Sequence, residues 1–473
     1  MHVLFIYPDI IFKENWNGQY YSGIAYISSV LKENGHKTSL LHITQPIRRK
    51  NLIELVKREV KGDTIIGISS TTNMFPFAAR WAKWIKEELP ETTILCGGVH
   101  PTLSPKSVIK TSNIDAIVVG EGEYPTLEIC DALEKGAWIN GIPNVWVRDG
   151  QRIYANPTRP PIKLDSLPLP DRSIFKMREL FWERQGIGNL IVSRGCPYNC
   201  AYCCNHALRK FMGSGVRMRS VEKTIEEANQ LITEYPFIKK LHFDDDIFGL
   251  SIGWLREFAE KFPDEVGVPF SCNIRANLLT DERIALLKKS GCYRLQIGVE
   301  SGNDFIRNEI MNRNMSRETI VRAFKKAKEA GFETYAFNMI GLPHENAAAV
   351  LDTVKLNAEI EPDMFQCSIF YPYPSTRLYS LCRKENMIRR RQMHSYFRGS
   401  ILNLQGMSDA QLEVFNRYFE HLVALYGDAK AIPKVHKLLD TMLCSRAFPI
   451  FAGNLISCYL WMKQLHRKFF QSQ

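Results

Sequence analysis

The sequence lacks an apolar run of the roughly 18 to 20 residues that spans a bilayer. Its first residues, MHVLFIYPDI, lack the basic region and the small-residue cleavage site of a secretory signal. No internal repeat with a period of about 20 to 50 residues is visible, which excludes a solenoid or propeller. Extreme composition is missing too. Hydrophobic residues make up 45% and charged residues 23%, so a disordered or fibrous chain is excluded. These absences predict a cytoplasmic protein. In that reducing compartment, clustered cysteines serve metal or redox chemistry more often than disulfides. The 473 residues suggest about three domains.

Charge of one sign is scarce outside the tail. The net charge is +11, and from residue 381 onward there are 14 Lys/Arg against 6 Asp/Glu, a local balance of +8. The rest is nearly neutral. That argues against a nucleic-acid partner for the whole protein and for a basic C-terminal face.

The first 150 residues alternate strand and helix patterns. HVLFIYP, KTSLLHI, TIIGISS, TTILCGG and DAIVVGEGE read as strands, the first as a continuous apolar run buried on both faces. Between them lie helical patterns, including one over 75–89 with Phe77, Trp81, Trp84 and Ile85 in one stripe. Repeated βαβ units with short loops predict a doubly wound parallel sheet of Rossmann-like type. Such sheets bind ligands at the carboxyl ends of their strands. Here those ends carry Ser69-Ser70-Thr71-Thr72-Asn73, Gly97-Gly98-Val99-His100 and Gly120-Glu121-Gly122-Glu123. The linker, residues 151–184, includes a stretch over 156–171 with five prolines, unsuited to a helix interior or a central strand. A second βα series over 185–380 supplies six strand-like segments: NLIVSRG, KLHFDD, FSCNIRA, RLQIGVES, TYAFNMIGLP and FQCSIFYPYP. Six units predict a partial (β/α)6 barrel, with its chemistry at the C-terminal strand ends. Residues 381–473 read as a basic helical region.

The densest chemical signal is Ser193-Arg194-Gly195-Cys196-Pro197-Tyr198-Asn199-Cys200-Ala201-Tyr202-Cys203. Three of the 12 cysteines fall within eight residues, at the end of the first strand of the second series. Three thiolates at these spacings can converge on a [4Fe–4S] cluster and leave one iron open for a ligand. A structural zinc knuckle is the alternative. It would take Cys204 or His206 as fourth ligand, but zinc ribbons pair two CxxC units and no second pair exists.

The Cx3Cx2C spacing, with Tyr202 before the last cysteine, resembles the radical S-adenosylmethionine (SAM) superfamily. Later segments agree in order. His242-Phe243-Asp244-Asp245-Asp246 lies where the family places acidic or polar residues after its second strand. Asn273-Ile274-Arg275 ends the third strand, where family side chains reach the SAM ribose or carboxylate. Gln296 to Gly302, containing Glu300, resembles the family's adenine and ribose strand. Asn338 to Pro343 and Tyr371 to Pro374 complete the pattern. The resemblance implies that Cys196, Cys200 and Cys203 ligate the cluster and that SAM chelates its fourth iron. The reduced cluster then cleaves SAM to methionine and a 5′-deoxyadenosyl radical. It implies SAM contacts for Tyr202, Asp244, Asp245, Asn273, Arg275 and Glu300. Asp244 to Asp246 as helix caps, Arg275 as an internal ion-pair partner and Glu300 as a structural hydrogen bonder are the plainer readings.

The domain order, with the loops at Gly97-Gly98 and Gly120-Glu121, resembles the cobalamin (B12)-binding-domain radical SAM family. That resemblance implies cobalamin contacts for Ser69, Thr71, Asn73, Gly97, Gly98, His100, Gly120 and Glu121. The motif D-x-H-x-x-G, whose histidine binds cobalt from below in many cobalamin enzymes, is missing. His100 therefore reads as a loop residue more than a cobalt ligand, and the loop 71–74 is the candidate for the lower face. Radical SAM methylthiotransferases bring three more cysteines on their N-terminal domain, and here that domain has only Cys96 and Cys130.

The expected activity is a cobalamin-dependent methyl transfer to an unactivated carbon. Oxidative cyclisation or rearrangement with the same cofactors is the runner-up, and a cobalamin-binding protein without chemistry comes third. The expected partners are a small-molecule or peptide substrate and an external one-electron reductant of flavodoxin or ferredoxin type. Arg383, Lys384, Arg389, Arg390, Arg391 and Arg398 suit a solvated helix face or an anionic partner. The apolar stretch 447–462 suits a packed helix before a membrane-surface contact.

Overall fold

The computed structural model describes residues 1–11, 15–389, 397, 399–428 and 433–445. The apolar stretch 447–462 and most of the Arg390-to-Arg398 cluster lie outside the described residues. By internal contacts the chain divides into two units. One comprises Met1–Tyr198, Cys203–Phe270 and Tyr373–Thr376, the other Asn199–Tyr202, Ser271–Pro372 and Arg377–Gln473.

The first unit opens with strands β1 (His2–Pro8), β2 (Lys37–Ile43), β3 (Thr64–Ser69), β4 (Ile94–Gly97) and β5 (Ala116–Val118). They pair in parallel in the order β2-β1-β3-β4-β5. The expected doubly wound sheet is present. Burial on both faces explains why β1 has no polar alternation: Val3, Leu4 and Ile6 have no exposed surface. The sequence pattern did not reveal the antiparallel hairpin β6 (Val145–Asp149) and β7 (Arg152–Ala155), which extends the sheet beyond β5. These strands are short, and Ile153 is partly exposed, so the apolar signal is weak.

The proline-rich segment is extended, with single turns at Leu164–Ser166, Arg172–Ile174, Met177–Glu179 and Glu183–Gln185. Strand β8 (Ile187–Leu190) follows, and then a short pair, β9 (Ser193–Arg194) with β10 (Arg217–Met218). Next come β11 (Lys240–Phe243), β12 (Phe270–Ile274), β13 (Cys292–Glu300), β14 (Glu333–Ile340) and β15 (Met364–Ile369). The second sheet has the order β15-β14-β13-β12-β11-β8, which gives the six strands of the expected partial barrel.

Inside the second unit the helix Asp409–Asp428 buries Leu412, Phe415, Phe419 and Leu422. They join Val350 and Val354 of the helix Ala347–Ile360 in one apolar cluster. The spacing of three and four along the chain makes this one helical stripe.

A buried polar knot crosses the first unit. The Glu227 carboxylate accepts from Arg172 at 2.7 Å, from the Tyr26 hydroxyl at 3.0 Å and from Arg219. Both arginines are 2% exposed, and Arg172 also donates to the Asn189 carbonyl at 2.9 Å. Tyr26 belongs to the helix Ser22–Glu33 and Asn189 to β8, so the knot joins the first sheet's covering helix to the second sheet's first strand. Removing the shared carboxylate strands two buried guanidinium groups. Glu227→Ala is expected to lower the unfolding free energy by about 3–5 kcal/mol. Glu226→Ala, at a surface pair with Lys223, changes it by less than about 1 kcal/mol. Urea unfolding followed by tryptophan fluorescence checks both.

The loop after β3 is held by the turn after β4. The Ser70 amide donates to the Gly97 carbonyl at 2.9 Å, and the His100 amide to the Ser70 carbonyl at 3.0 Å. His100 Nδ1 pairs with the Thr72 hydroxyl at 3.1 Å, and its ring lies 4.4 Å from that of Phe75. Burial pushes the imidazole down from 6.5 to about 4. The unfolded chain takes up this proton first, so stability falls as pH drops from about 6.5 towards 4. The expected loss is on the order of 3 kcal/mol. His100→Gln should flatten that limb of a melting-temperature profile against pH.

Candidate functional site

A cleft with about 1460 Å³ of open space, its mouth included, lies in the first unit. Val3, Phe5, Gly67, Leu95 and Val118 form its floor along one face of the first sheet. Ile24 and Ile27 wall it on the helix Ser22–Glu33, and Glu123 and Thr126 on the helix Glu123–Glu134. Both helices start at the cleft, so the amides of their first turns suit an anion such as a phosphate. Glycine is required at position 98, where φ is 99°. A Cβ on Gly122 would lie 2.9 Å from Ile27 Cδ1, and one on Gly98 would lie 3.0 Å from the backbone of Ser70. The opposite side is made of Ser193, Arg194, Gly195 and Asp244 to Asp246, with Leu208 and Met212 of the helix Asn205–Met212.

Ser69, Gly97, Gly98, Gly120, Glu121, Asp244 and Asp245 therefore meet at one cleft. Thr71, Asn73 and His100 are not among its lining residues. The Thr71 hydroxyl donates to the Asn73 side-chain oxygen at 2.8 Å, and His100 is engaged with Thr72. These residues shape the loop that carries Ser69 and Ser70.

Glu121 is saturated by protein donors. It accepts from Arg194 at 2.7 Å, from Arg217 at 2.9 Å and from the Ile162 amide at 2.9 Å. Burial would raise its pKa, but the charge of Arg194 and the bond from Arg217 win and hold it below the ordinary carboxylate value. Arg194 also reaches Glu123 at 2.6 Å. Asp245 is 1% exposed and accepts from the Val192 amide at 3.2 Å and from the Ser193 hydroxyl. Burial pushes it up to about 7 despite those bonds. Both carboxylates thus position backbone as well as lining the cleft. Tyr21, which lines the cleft, and Arg217, which does not, carried no sequence signal beyond being polar. Arg217 braces Glu121 from β10 rather than lining the wall, while Tyr21 lines it, bonds Ser69 and stacks on Tyr7 with centroids 5.1 Å apart.

The cysteine donors fit a thiolate-bound cluster. In the first unit the Asn205 amide points at Cys203 Sγ from 3.5 Å. In the second unit Arg275 Nη1 points at Cys200 Sγ from 3.5 Å, and Arg275 Nε donates to Asn277 at 2.8 Å. Donors aimed at sulfur stabilise thiolates. The cleft fits cobalamin on separate grounds: a floor of apolar side chains, a glycine-lined wall and two helix N-termini.

Also in the second unit, Tyr202 donates to Glu300 Oε1 at 3.0 Å. Arg313 bridges both, at 2.8 Å to the tyrosine oxygen and 3.3 Å to the carboxylate, and reaches the Gly298 carbonyl at 2.7 Å. The register of β13 against β14 shifts between Gly298 and Glu300, and Glu300 has φ of 65°. Such a bulge re-aims a side chain. A Cβ on Gly298 would lie 2.7 Å from Glu300 Oε1. Asn273 is half-buried on β12. Arg313 follows no periodic pattern, and only the fold brings it to Tyr202.

Two family models match the chain: the B12 binding domain over residues 20–129 and the radical SAM superfamily over residues 190–356. An uncharacterized methyltransferase of Pyrococcus horikoshii is 28% identical over 369 residues, 77% of this chain and 79% of its own. An anaerobic magnesium-protoporphyrin IX monomethyl ester cyclase of Rubrivivax gelatinosus is 27% identical over 401 residues, 80% of this chain and 69% of its own. Among solved structures, the radical SAM methyltransferase TsrM from Kitasatospora setae, with cobalamin and a [4Fe–4S] cluster bound, has a TM-score of 0.67. It is 16% identical, with 85% of this chain and 82% of that one covered. The cobalamin-dependent SAM radical enzyme OxsB has a TM-score of 0.73 at 16% identity, covering 100% of this chain and 81% of that one. At these identities the two structures support the fold. Among the described residues no helix is long and apolar enough to cross a membrane. With both models matched in order, the chain carries a B12 binding domain followed by a domain of the radical SAM superfamily, and its cofactors are a [4Fe–4S] cluster, SAM and cobalamin.

Proposed function

We propose that the protein is a methyltransferase acting on an unactivated carbon of a small molecule or peptide. The observation that carries this reading is the cleft itself. It joins the glycine loops of a B12-binding sheet to the backbone that enters the cysteine loop. The methyltransferase relative supports the choice of reaction. When bound, the cluster and SAM supply a 5′-deoxyadenosyl radical and cobalamin supplies a methyl group.

This chain's residues do the holding. Cys196, Cys200 and Cys203 hold the cluster, and Arg275 orients Cys200. Tyr202, Glu300 and Arg313 form a preset cradle for SAM, in the unit that also carries Asn273 on β12. Ser69, Gly97, Gly98 and Gly120 receive cobalamin, and the loop 71–74 supports them from outside the cleft. The apolar floor excludes water from a radical's neighbourhood.

The cyclase relative favours a second reading, ring formation with the same cofactors and no net methylation. Incubation of the reconstituted enzyme with SAM, a low-potential reductant and candidate substrates separates the two. The proposal expects a product heavier by one CH2 unit, formed together with 5′-deoxyadenosine and S-adenosylhomocysteine. Formation of 5′-deoxyadenosine with a product lighter by two hydrogens, and no S-adenosylhomocysteine, would overturn it in favour of cyclisation.

A further inference from the structure

We propose that Arg209 is a positioning residue that fixes the loop between the first two motif cysteines. This rests on the reading that Cys196, Cys200 and Cys203 hold a cluster. Arg209 lies on the helix Asn205–Met212, which starts two residues after Cys203. Its Nε donates to the Cys196 carbonyl at 3.1 Å. Its Nη2 donates to the same carbonyl and to that of Tyr198. One planar fork thus gathers two carbonyls of the loop, a geometry that the single tip of a lysine does not reproduce.

The loop needs such a clamp. It begins at Gly195, whose φ of 98° is open to glycine, and a Cβ there would lie 2.9 Å from the Gly215 carbonyl. The backbone therefore turns sharply one residue before the first ligand. The helix that carries the clamp is itself anchored, because Asn205 Nδ2 donates to Asp246 at 2.7 Å. Its Leu208 and Met212, four residues apart, line the cleft, while Arg209 serves the loop. The guanidinium also brings a fixed positive charge to the Cys196 peptide. A charge there favours the reduced, more negative state of a thiolate-bound cluster.

The test compares the full-length wild type with Arg209→Lys and Arg209→Gln, each reconstituted anaerobically with iron, sulfide and cobalamin. Release of iron to a chelator and the midpoint potential from an EPR redox titration are the readouts. Both variants are expected to release iron about tenfold faster than wild type, the size of a lost outer-shell contact. The Gln variant alone, having lost the charge, is expected at a more negative potential than wild type. Retained cobalamin is expected to match wild type, which a general folding defect would not allow. Release rates and potentials indistinguishable from wild type, or parallel loss of cobalamin, would overturn the proposal. A wild-type chain that takes up no iron would instead fail the cluster reading and remove this inference with it.

Discussion

The entry to the cysteine loop is placed by the Arg194 guanidinium. Arg194 stands two residues before Cys196, and its fork is held by Glu121 from the loop after β5 and by Glu123 at the start of the next helix. Glu121 and Glu123 are 5% and 3% exposed, so these charge-assisted bonds lie out of water and fix direction as well as distance. Arg217 and the Ile162 amide close the same carboxylate from β10 and the linker. The first sheet, the linker and the entry to the cysteine loop thus share one anchor. Arg194, Glu121 and Glu123 all line the cleft.

That arrangement separates two tasks. The floor and glycine walls provide shape for a bulky ligand, while the charged residues at the cleft are largely consumed in mutual pairing. Glu121 has its acceptor sites occupied by Arg194, Arg217 and the Ile162 amide, whereas Asp245 has only neutral donors and burial pushes it up to about 7. A paired, buried carboxylate contributes geometry at little cost in unbalanced charge. In the second unit Tyr202, Glu300 and Arg313 repeat the principle, with a bulge and a positive φ to aim the carboxylate.

Much of this was legible in the sequence because the signals were local. Continuous apolar runs located β1 and β3, alternation with helical stripes gave the βα order, and the Cx3Cx2C spacing marked the loop. The glycine loops at Gly97-Gly98 and Gly120 were readable for the same reason, since the backbone there turns within a few residues. What the sequence hid was long-range pairing. Arg194 sits inside the motif, yet nothing nearby says that its partners lie more than 70 residues earlier. Arg217 and Arg313 are single charges among many. His100 reads as a loop residue by its neighbours, and its Nδ1 pairs with Thr72 while its ring packs near Phe75, partners the sequence did not indicate. The hairpin β6–β7 was missed because its strands are short and β7 is largely exposed, which leaves little apolar pattern.

The most direct test of the account is the metal content of the full-length chain after anaerobic reconstitution with iron, sulfide and cobalamin, followed by gel filtration. The account predicts about four irons and one cobalt per chain, with the optical spectrum of a thiolate-bound cluster. Four irons with no retained cobalt would contradict it, since the cleft between the glycine loops and the cysteine loop would then not be a cobalamin site.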